Sequence, residues 1–420
     1  MQEKSDIKVN IFWNTFGSIF YCLCQWIITV LVVRIDSFEA SGQLSLAMTT
    51  SSSFSAIALF SMRNYQMSDV DELYKTMHYV GSRVVTCAIS FLLCIGYSVM
   101  MGVSVYQLLC IIFFMVVRLV EATVDVLHGI NQKYERYDLI GKSFVLRGIV
   151  SVVVFSVCLF VFHDMMLTLA IMAIGNVLVA LFYDLKNTAR FESLKPVIKD
   201  KQVYTLLITC VPLVIFSFFL SLENLIPKTF LQELYGDEAL GIYSSLASPT
   251  LVVQVGASVV FGPLLPMFTK VFNSGEYKEF RNMFHKVLLV MLAMCAVVAV
   301  GAAIVGRLGL RILYGDVILE YYELFMPIVW STILMACVWV MQSITIGIRQ
   351  IYPMLAGILV DFFICYISCK WFLRTYSWNG ASLVQIVCLA ILVVYMIAIC
   401  EITIWRKDKM QKKEIEVQDE

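Results

Sequence analysis

The sequence predicts an all-α polytopic membrane protein of about 12 transmembrane helices arranged in two six-helix lobes. Three observations lead there. Of the 420 residues, 60% are hydrophobic and only 15% charged, where soluble domains run about 45–50% and about 25%. Mean hydropathy is +0.83. The apolar residues fall into runs long enough to cross a bilayer, which takes roughly 20 residues per helix. A soluble enzyme, a secreted disulfide scaffold and a disordered chain are excluded. With 31 basic and 31 acidic residues the net charge is zero, and nothing points to a nucleic-acid partner.

The spans read, in order, as 10–33, 38–61, 80–101, 105–126, 143–162, 165–184, 203–223, 239–262, 284–304, 321–344, 353–372 and 380–402. The first is long and lacks a small-residue cleavage site, so it reads as a span and not as a removable signal. The second carries Thr49, Thr50, Ser51, Ser52, Ser53 and Ser55. Such a helix suits packing on other helices or lining a cavity better than facing lipid. If the N-terminus is cytoplasmic, twenty-four Lys and Arg fall inside and six outside, and Arg118 lies within a span. By the positive-inside rule both termini are then cytoplasmic, in the cell (cytoplasmic) membrane. The expected organisation is an N-lobe at 1–184, a basic cytoplasmic linker at 185–202 containing Pro196, a C-lobe at 203–402 and a solvated, frayed cytoplasmic tail at 403–420.

Two short matches suggest that the lobes repeat. Glu39-Ala40-Ser41-Gly42 opens span 2 and Glu238-Ala239-Leu240-Gly241 opens span 8. Gly129-Ile130-Asn131-Gln132 follows span 4 and Gly347-Ile348-Arg349-Gln350 follows span 10. Both pairs are six spans apart, an even number, which predicts a parallel repeat about an axis along the membrane normal. All eight prolines lie at or after Pro196. Pro212, Pro249, Pro327 and Pro353 fall in or at the ends of second-half spans, where a proline makes either a static bend or a point of flexure.

A charge inside a bilayer is costly, by about 2.5–3.5 kcal/mol on insertion scales, so buried charges are the candidate site. In span 4, Arg118, Glu121 and Asp125 are spaced i, i+3, i+7 and share one helix stripe. They form either a tie between helices, with Arg118 paired to Glu121, or an anion site in a wet cavity. Arginine offers a fork of donors that matches phosphate oxygens. Arg147, about one turn inside span 5, reaches a cavity mouth or snorkels to headgroups, and snorkelling fits better. Asp361 in span 11 serves a coupling cation or proton, or pairs with a basic residue. Arg34, Asp36, Glu223 and Glu401 lie at span ends and read as interfacial. The 13 cysteines lie in apolar runs, where a thiol behaves as a small hydrophobe. The four histidines form no HExxH or carboxylate–histidine motif. No metal site, catalytic residue or cofactor is expected.

The run Glu121-x3-Asp125-x3-Gly129-x2-Gln132-x3-Arg136-x-Asp138-x2-Gly141-x-Ser143-x3-Arg147-Gly148, with Gly241-Ile242-Tyr243-Ser244 at the start of span 8, resembles the Wzx-type polysaccharide flippases. These belong to the multidrug/oligosaccharidyl-lipid/polysaccharide exporter superfamily. The resemblance covers nearly the whole chain in span order and loop length. It implies a V-shaped central cavity between the lobes and alternating access. It also implies a substrate: an oligosaccharide repeat unit on a polyprenyl diphosphate, flipped from the inner to the outer leaflet for cell-surface polysaccharide synthesis. Expected partners are that lipid-linked oligosaccharide, membrane lipid and polysaccharide-assembly proteins. Arg118 would hold the diphosphate, with Glu121, Asp125 and Arg147 beside it. Span 4 supplies two carboxylates against one arginine, so further basic residues would have to come from other spans. A drug or cation antiporter of the same superfamily fits two carboxylates as well. A membrane-embedded polymerase or acyltransferase would normally need a substantial outer loop with acid/base residues. The longest outer connections, about 224–238 and 305–320, hold no histidine.

Overall fold

A computed structural model describes the chain apart from residues 1–6, 61, 64–65, 67–73, 251–252, 254–260, 262–263 and 419–420. The described residues are almost wholly helical, with no strand among them. The helices are α1 Ile7–Ile35, α2 Phe38–Leu59, α3 Thr76–Met100, α4 Val105–Lys133, α5 Tyr137–Phe162 and α6 Met165–Val179, followed by α7 Lys201–Ala247, α8 Leu264–Asn273, α9 Tyr277–Tyr314, α10 Phe325–Gly347, α11 Ile351–Tyr376 and α12 Asn379–Gln418. Nine segments among the described residues are long and apolar enough to cross a bilayer. Helices α2, diluted by serines and threonines, and α4, which carries Arg118, Glu121 and Asp125, are not among them. The polar face of α2 is buried, Ser51, Ser53 and Ser55 included. There the Ser51 hydroxyl donates to the carbonyl of Ile111 at 3.1 Å. Helix α9 turns Leu292, Val297 and Ile304 outward, as a lipid-facing helix does. The expected end of span 8, up to 262, lies partly outside the described residues.

The chain divides into two compact units. The first holds Met1–Ser221 and Tyr235–Ser244, the second Leu222–Leu234 and Ser245–Glu420. Helix α7 contributes to both and breaks at Gly236, whose φ of 87° is open to glycine without strain. The connection expected at 224–238 is therefore mostly helix, as is 305–314 at the end of α9. The tail is also helical, since α12 runs on to Gln418. Apolar length set the expected ends, but a helix outlasts its apolar run wherever backbone hydrogen bonds and local propensity continue it.

The repeat is present, in a register the sequence shows only in part. Helices α5 (137–162) and α11 (351–376) have the same 26-residue length and are offset by 214 positions. The turns before them match bond for bond. The amides of Tyr134, Glu135 and Arg136 donate to the carbonyls of Ile130, Gln132 and Asn131, and those of Ile348, Arg349 and Gln350 to Ile344, Ile346 and Thr345. Glu135 and Arg349 both take positive φ, 56° and 59°. The Gly129–Gln132 and Gly347–Gln350 match is thus displaced by one helical turn from the structural equivalence. The other match is in register. Helix α2 and the part of α7 after Gly236 touch reciprocally: a methyl group on Gly42 would overlap the carbonyl of Asp237, and one on Gly241 that of Phe38. Ser45 and Ser244 hydrogen-bond at 2.5 Å between them. The equivalent positions Phe38 and Asp237, Gly42 and Gly241, and Ser45 and Ser244 are each offset by 199, so the contacts are reciprocal, the signature of a local twofold contact. The glycines are retained because only they let the two backbones approach so closely.

Two of the second-half prolines do not mark bends, whereas Pro249 lies in the 3-10 turn Ser248–Thr250 that ends α7. Pro327 and Pro353 each stand third in their helices, α10 and α11, in the first turn, where no intrahelical hydrogen bond is lost. The largest departure in the first unit is proline-free. Past Val179, α6 passes through a π-helical turn, Ala180–Leu185, before ending at Lys186–Thr188. The linker beyond is fastened to its own unit. The amide of Val197 donates to the carbonyl of Met77, and Asp200 pairs with His78 at 3.2 Å. The Asp200 carboxyl is held below the usual carboxylate range, first by the Gln202 amide and then by His78.

Candidate functional site

The first unit encloses a cavity of about 170 Å³ lined by Tyr21 (α1), Ser55 (α2), Arg118, Glu121, Asp125 and His128 (α4), and Phe144 and Arg147 (α5). All four residues expected to bind substrate from this unit therefore meet in one place. Helices α1 and α5 come close enough to share the cavity because Gly17 and Gly141 face each other, and a methyl group on either would overlap the opposing backbone. Gly148 packs on Cys24 two turns further along. These contacts account for Gly141 and Gly148 of the Glu121–Gly148 run, while Gly129 packs against the side chain of Gln66.

Arg118 and Glu121 are an ion pair, Nη1 to Oε2 at 2.6 Å. The hydroxyl of Tyr21 donates to the other Glu121 oxygen. Glu121 is thus satisfied by one arginine and one tyrosine, and Arg118 keeps an unpartnered Nε. Asp125 accepts from two arginines outside its own helix: Arg63, Nη1 to Oδ1 at 3.5 Å, and Arg83, Nη2 to Oδ2 at 3.2 Å. Arg83 is fully buried, and its other Nη donates to the carbonyl of Ala58. Arg63 also donates to Gln132 at 3.2 Å.

Arg147 departs from expectation. It does not snorkel, being 2% exposed and held between the rings of Tyr21 and Phe144, 5.4 and 5.5 Å from their centroids. No carboxylate forms an ion pair with it among the described residues, and its Nε and Nη1 have no partner. A buried guanidinium with two unmet donors beside a cavity has the chemistry to receive an anion's oxygens. Below the cavity, His128 and Asp184 face each other at 3.8 Å, both fully buried. Four guanidiniums (Arg63, Arg83, Arg118, Arg147) thus face three carboxylates (Glu121, Asp125, Asp184), a surplus of one positive charge with His128 neutral.

Tyr21, Arg63, Arg83, His128 and Asp184 were not legible as site residues. Arg63 and Arg83 counted only as cytoplasmic positive charges near span ends. Their convergence on Asp125 depends on how α2 and α3 pack against α4, and no spacing along the chain encodes it.

Asp361 lies in the second unit, 3% exposed on α11, with neither carboxylate oxygen partnered. Glu223, expected at an interface, is fully buried instead. It is buried because α7 continues as helix past the expected span end at 223. Both of its oxygens also lack a nitrogen or oxygen partner. Its surroundings are thiols, with the ligand atoms of Glu223, Cys365 and Cys388 all within 4.8 Å of one another. The side chain of Gln385 (α12) donates to the Glu223 backbone carbonyl at 3.2 Å. Cys365 and Cys388 are thus more than apolar filler.

Residues 7–272 match the family described as polysaccharide biosynthesis protein. The capsular polysaccharide biosynthesis protein CapF of Staphylococcus aureus is 23% identical over 322 residues, 75% of this chain and 78% of that protein. Among solved structures, an inward-facing multidrug resistance MATE family transporter of the MOP superfamily superposes with a TM-score of 0.71 at 10% identity, covering 96% of this chain and 99% of that one. The lipid II flippase MurJ, in an inward closed conformation, also gives 0.71, at 11% identity over 94% of this chain and 89% of its own. The fold is that of the MOP-superfamily transporters.

Proposed function

The chain belongs to the polysaccharide biosynthesis protein family, and on that footing we propose that it flips a polyprenyl-diphosphate-linked oligosaccharide repeat unit across the cytoplasmic membrane by alternating access. It is a multi-pass membrane protein with a transporter fold, and a polymerase or acyltransferase activity is set aside. In this reading the movement is from the inner to the outer leaflet, both termini are cytoplasmic, and polysaccharide-assembly proteins use the product. The observation that carries the reading is the excess of arginine around the first-unit cavity, above all the unpartnered donors of Arg147 and Arg118. At about 170 Å³ the cavity is smaller than the roughly 300–1,000 Å³ of drug-sized pockets. It suits the diphosphate alone, with the sugars outside it. A drug or cation antiporter would place its cation among these arginines, against the charge. Asp361, joined by Glu223, is the proposed ion-coupling site, since two buried carboxylates without partners suit a cation or a proton.

The test is surface glycan in cells, normalised to membrane-inserted protein. Arg118→Ala should abolish export at normal protein level. Arg118→Lys, which keeps the charge but loses the fork, should retain part of it. An Arg118→Met/Glu121→Met double variant with normal export would show that the pair only ties the helix to its surroundings, and would remove Arg118 from the diphosphate site.

A further inference from the structure

The transport reading leaves one buried pair unused. His128, on the cavity wall, faces Asp184 at 3.8 Å, with both side chains 2% exposed. The His128 Nε2 and the Asp184 Oδ2 have no hydrogen-bond partner. Asp184 is where it is because of the π-helical turn Ala180–Leu185. A π-helical turn adds a residue to the helix and redirects the side chains within it, and such turns occur frequently at functional sites. The His128 ring packs edge-on against Phe144, 5.0 Å away, so it is held in place. A carboxylate and an imidazole buried face to face with unmet polar atoms are poorly compensated in a low-dielectric site. One added proton turns the pair into an imidazolium–carboxylate pair of no net charge.

Besides the ring of Phe144, several charged or polar groups surround the pair. Arg147 from α5 and Arg63 beyond α2 act on His128 directly. Asp125 and Glu121 lie along the same helix, with Asp125 already neutralised by Arg63 and Arg83 and Glu121 by Arg118. Tyr183 adjoins Asp184, its hydroxyl unpartnered. With the pair unprotonated, the site carries one surplus positive charge; with it protonated, the surplus is two.

We propose that His128 and Asp184 form a proton-binding dyad that loads one proton together with the diphosphate, so that proton uptake and anion binding at the first-unit cavity favour each other. The proposal rests on the diphosphate reading of that cavity. The proton comes from water, resides between Nε2 of His128 and the Asp184 carboxylate, and leaves when the anion leaves. Linkage makes the coupling reciprocal: whatever factor the proton adds to anion affinity, the anion adds to proton affinity. The tyrosine and arginine contacts of the cavity stay as they are. What changes is the charge behind Arg147.

The experiment is isothermal titration calorimetry of the full-length protein in detergent with a short-chain polyprenyl diphosphate, at pH 6, 7 and 8. Each pH is run in two buffers of different ionisation enthalpy. Proton uptake per bound ligand is read from the buffer dependence of the heat. The expected result is uptake approaching one proton near the dyad's midpoint, with affinity about tenfold higher at pH 6 than at pH 8, inside the roughly 5–150-fold range of coupled sites. Asp184→Asn, neutral at every pH, should bind as tightly at pH 8 as the wild type does at pH 6, without uptake. His128→Gln leaves the carboxylate charged, so it should bind more weakly and move any uptake to lower pH. Binding by the wild type with no proton uptake overturns the dyad while leaving the diphosphate site standing, and so does full uptake in Asp184→Asn. Absence of binding by the wild type overturns both. The wild-type measurement alone decides the case if a variant fails to fold.

Discussion

Arg147 and Asp361 occupy equivalent places in the repeat. Each stands eleventh in its helix, α5 or α11, 214 positions apart, and the helices are equal in length and preceded by the same turn. Both are buried, and both have side-chain polar atoms without partners. One is a cation among arginines and aromatic rings, the other an anion whose charge is felt by a second buried carboxylate, Glu223, which itself faces two thiols. The comparison teaches that the repeat supplies a scaffold position, a buried point about two-fifths of the way along a 26-residue helix, and that the residue placed there sets the charge each unit offers. In this chain the first unit suits an anion and the second a cation or proton.

The comparison can be broken most directly by moving one charge. Arg147→Asp puts the second unit's residue into the first and leaves three arginines facing four carboxylates. Export should vanish and membrane-inserted protein should fall, because an unpaired charge is then buried beside Glu121. Normal glycan export from Arg147→Asp would show that the cavity is not an anion site. A smaller effect is expected of Arg83→Ala, which leaves Asp125 with Arg63 alone. Breaking a buried pair from one side costs about 3–5 kcal/mol, at the lower end here because Asp125 is 20% exposed. The midpoint of thermal unfolding in detergent should drop, and adding Asp125→Asn should restore most of it. An unchanged midpoint would mean that Arg83 is not needed to hold the anionic side of the cavity. The least effect on stability belongs to the second unit. Glu223→Gln and Asp361→Asn remove carboxylates that have no nitrogen or oxygen partner to lose, so stability should hold or rise by about 1 kcal/mol or less, while export falls if these groups carry the coupling ion. A marked loss of stability in both would indicate unseen structural partners and would end the contrast between the units.

Several features of the site were legible in the chain. The i, i+3, i+7 stripe of Arg118, Glu121 and Asp125 needs only helical periodicity, and charges at that depth need an interior to face. The glycines at 42 and 241 could be read as paired because they recur in the same four-residue context. Gly129 and Gly347 misled, since a short match can align one turn away from the true equivalence. Glu223 and Arg147 were misjudged for one reason: distance from an apolar run's end measures depth along a single helix, whereas burial depends on which neighbours stand beside it.

The sequence by itself determined that this is a helical membrane protein with a repeated plan and a charged interior stripe, because hydropathy, helical period and the expense of a charge in lipid are local, one-dimensional quantities. Only the tertiary structure decided that Arg63 and Arg83 serve Asp125, that Arg147 is clasped by Tyr21 and Phe144 with its donors open, and that a π-helical turn brings Asp184 to His128. Apart from Phe144 beside Arg147, those pairings join residues from 42 to more than 100 positions apart, and their geometry follows from how closely glycines let helices cross and from one extra residue in a helical turn. Both are properties of packing, and neither leaves a periodic mark on the chain.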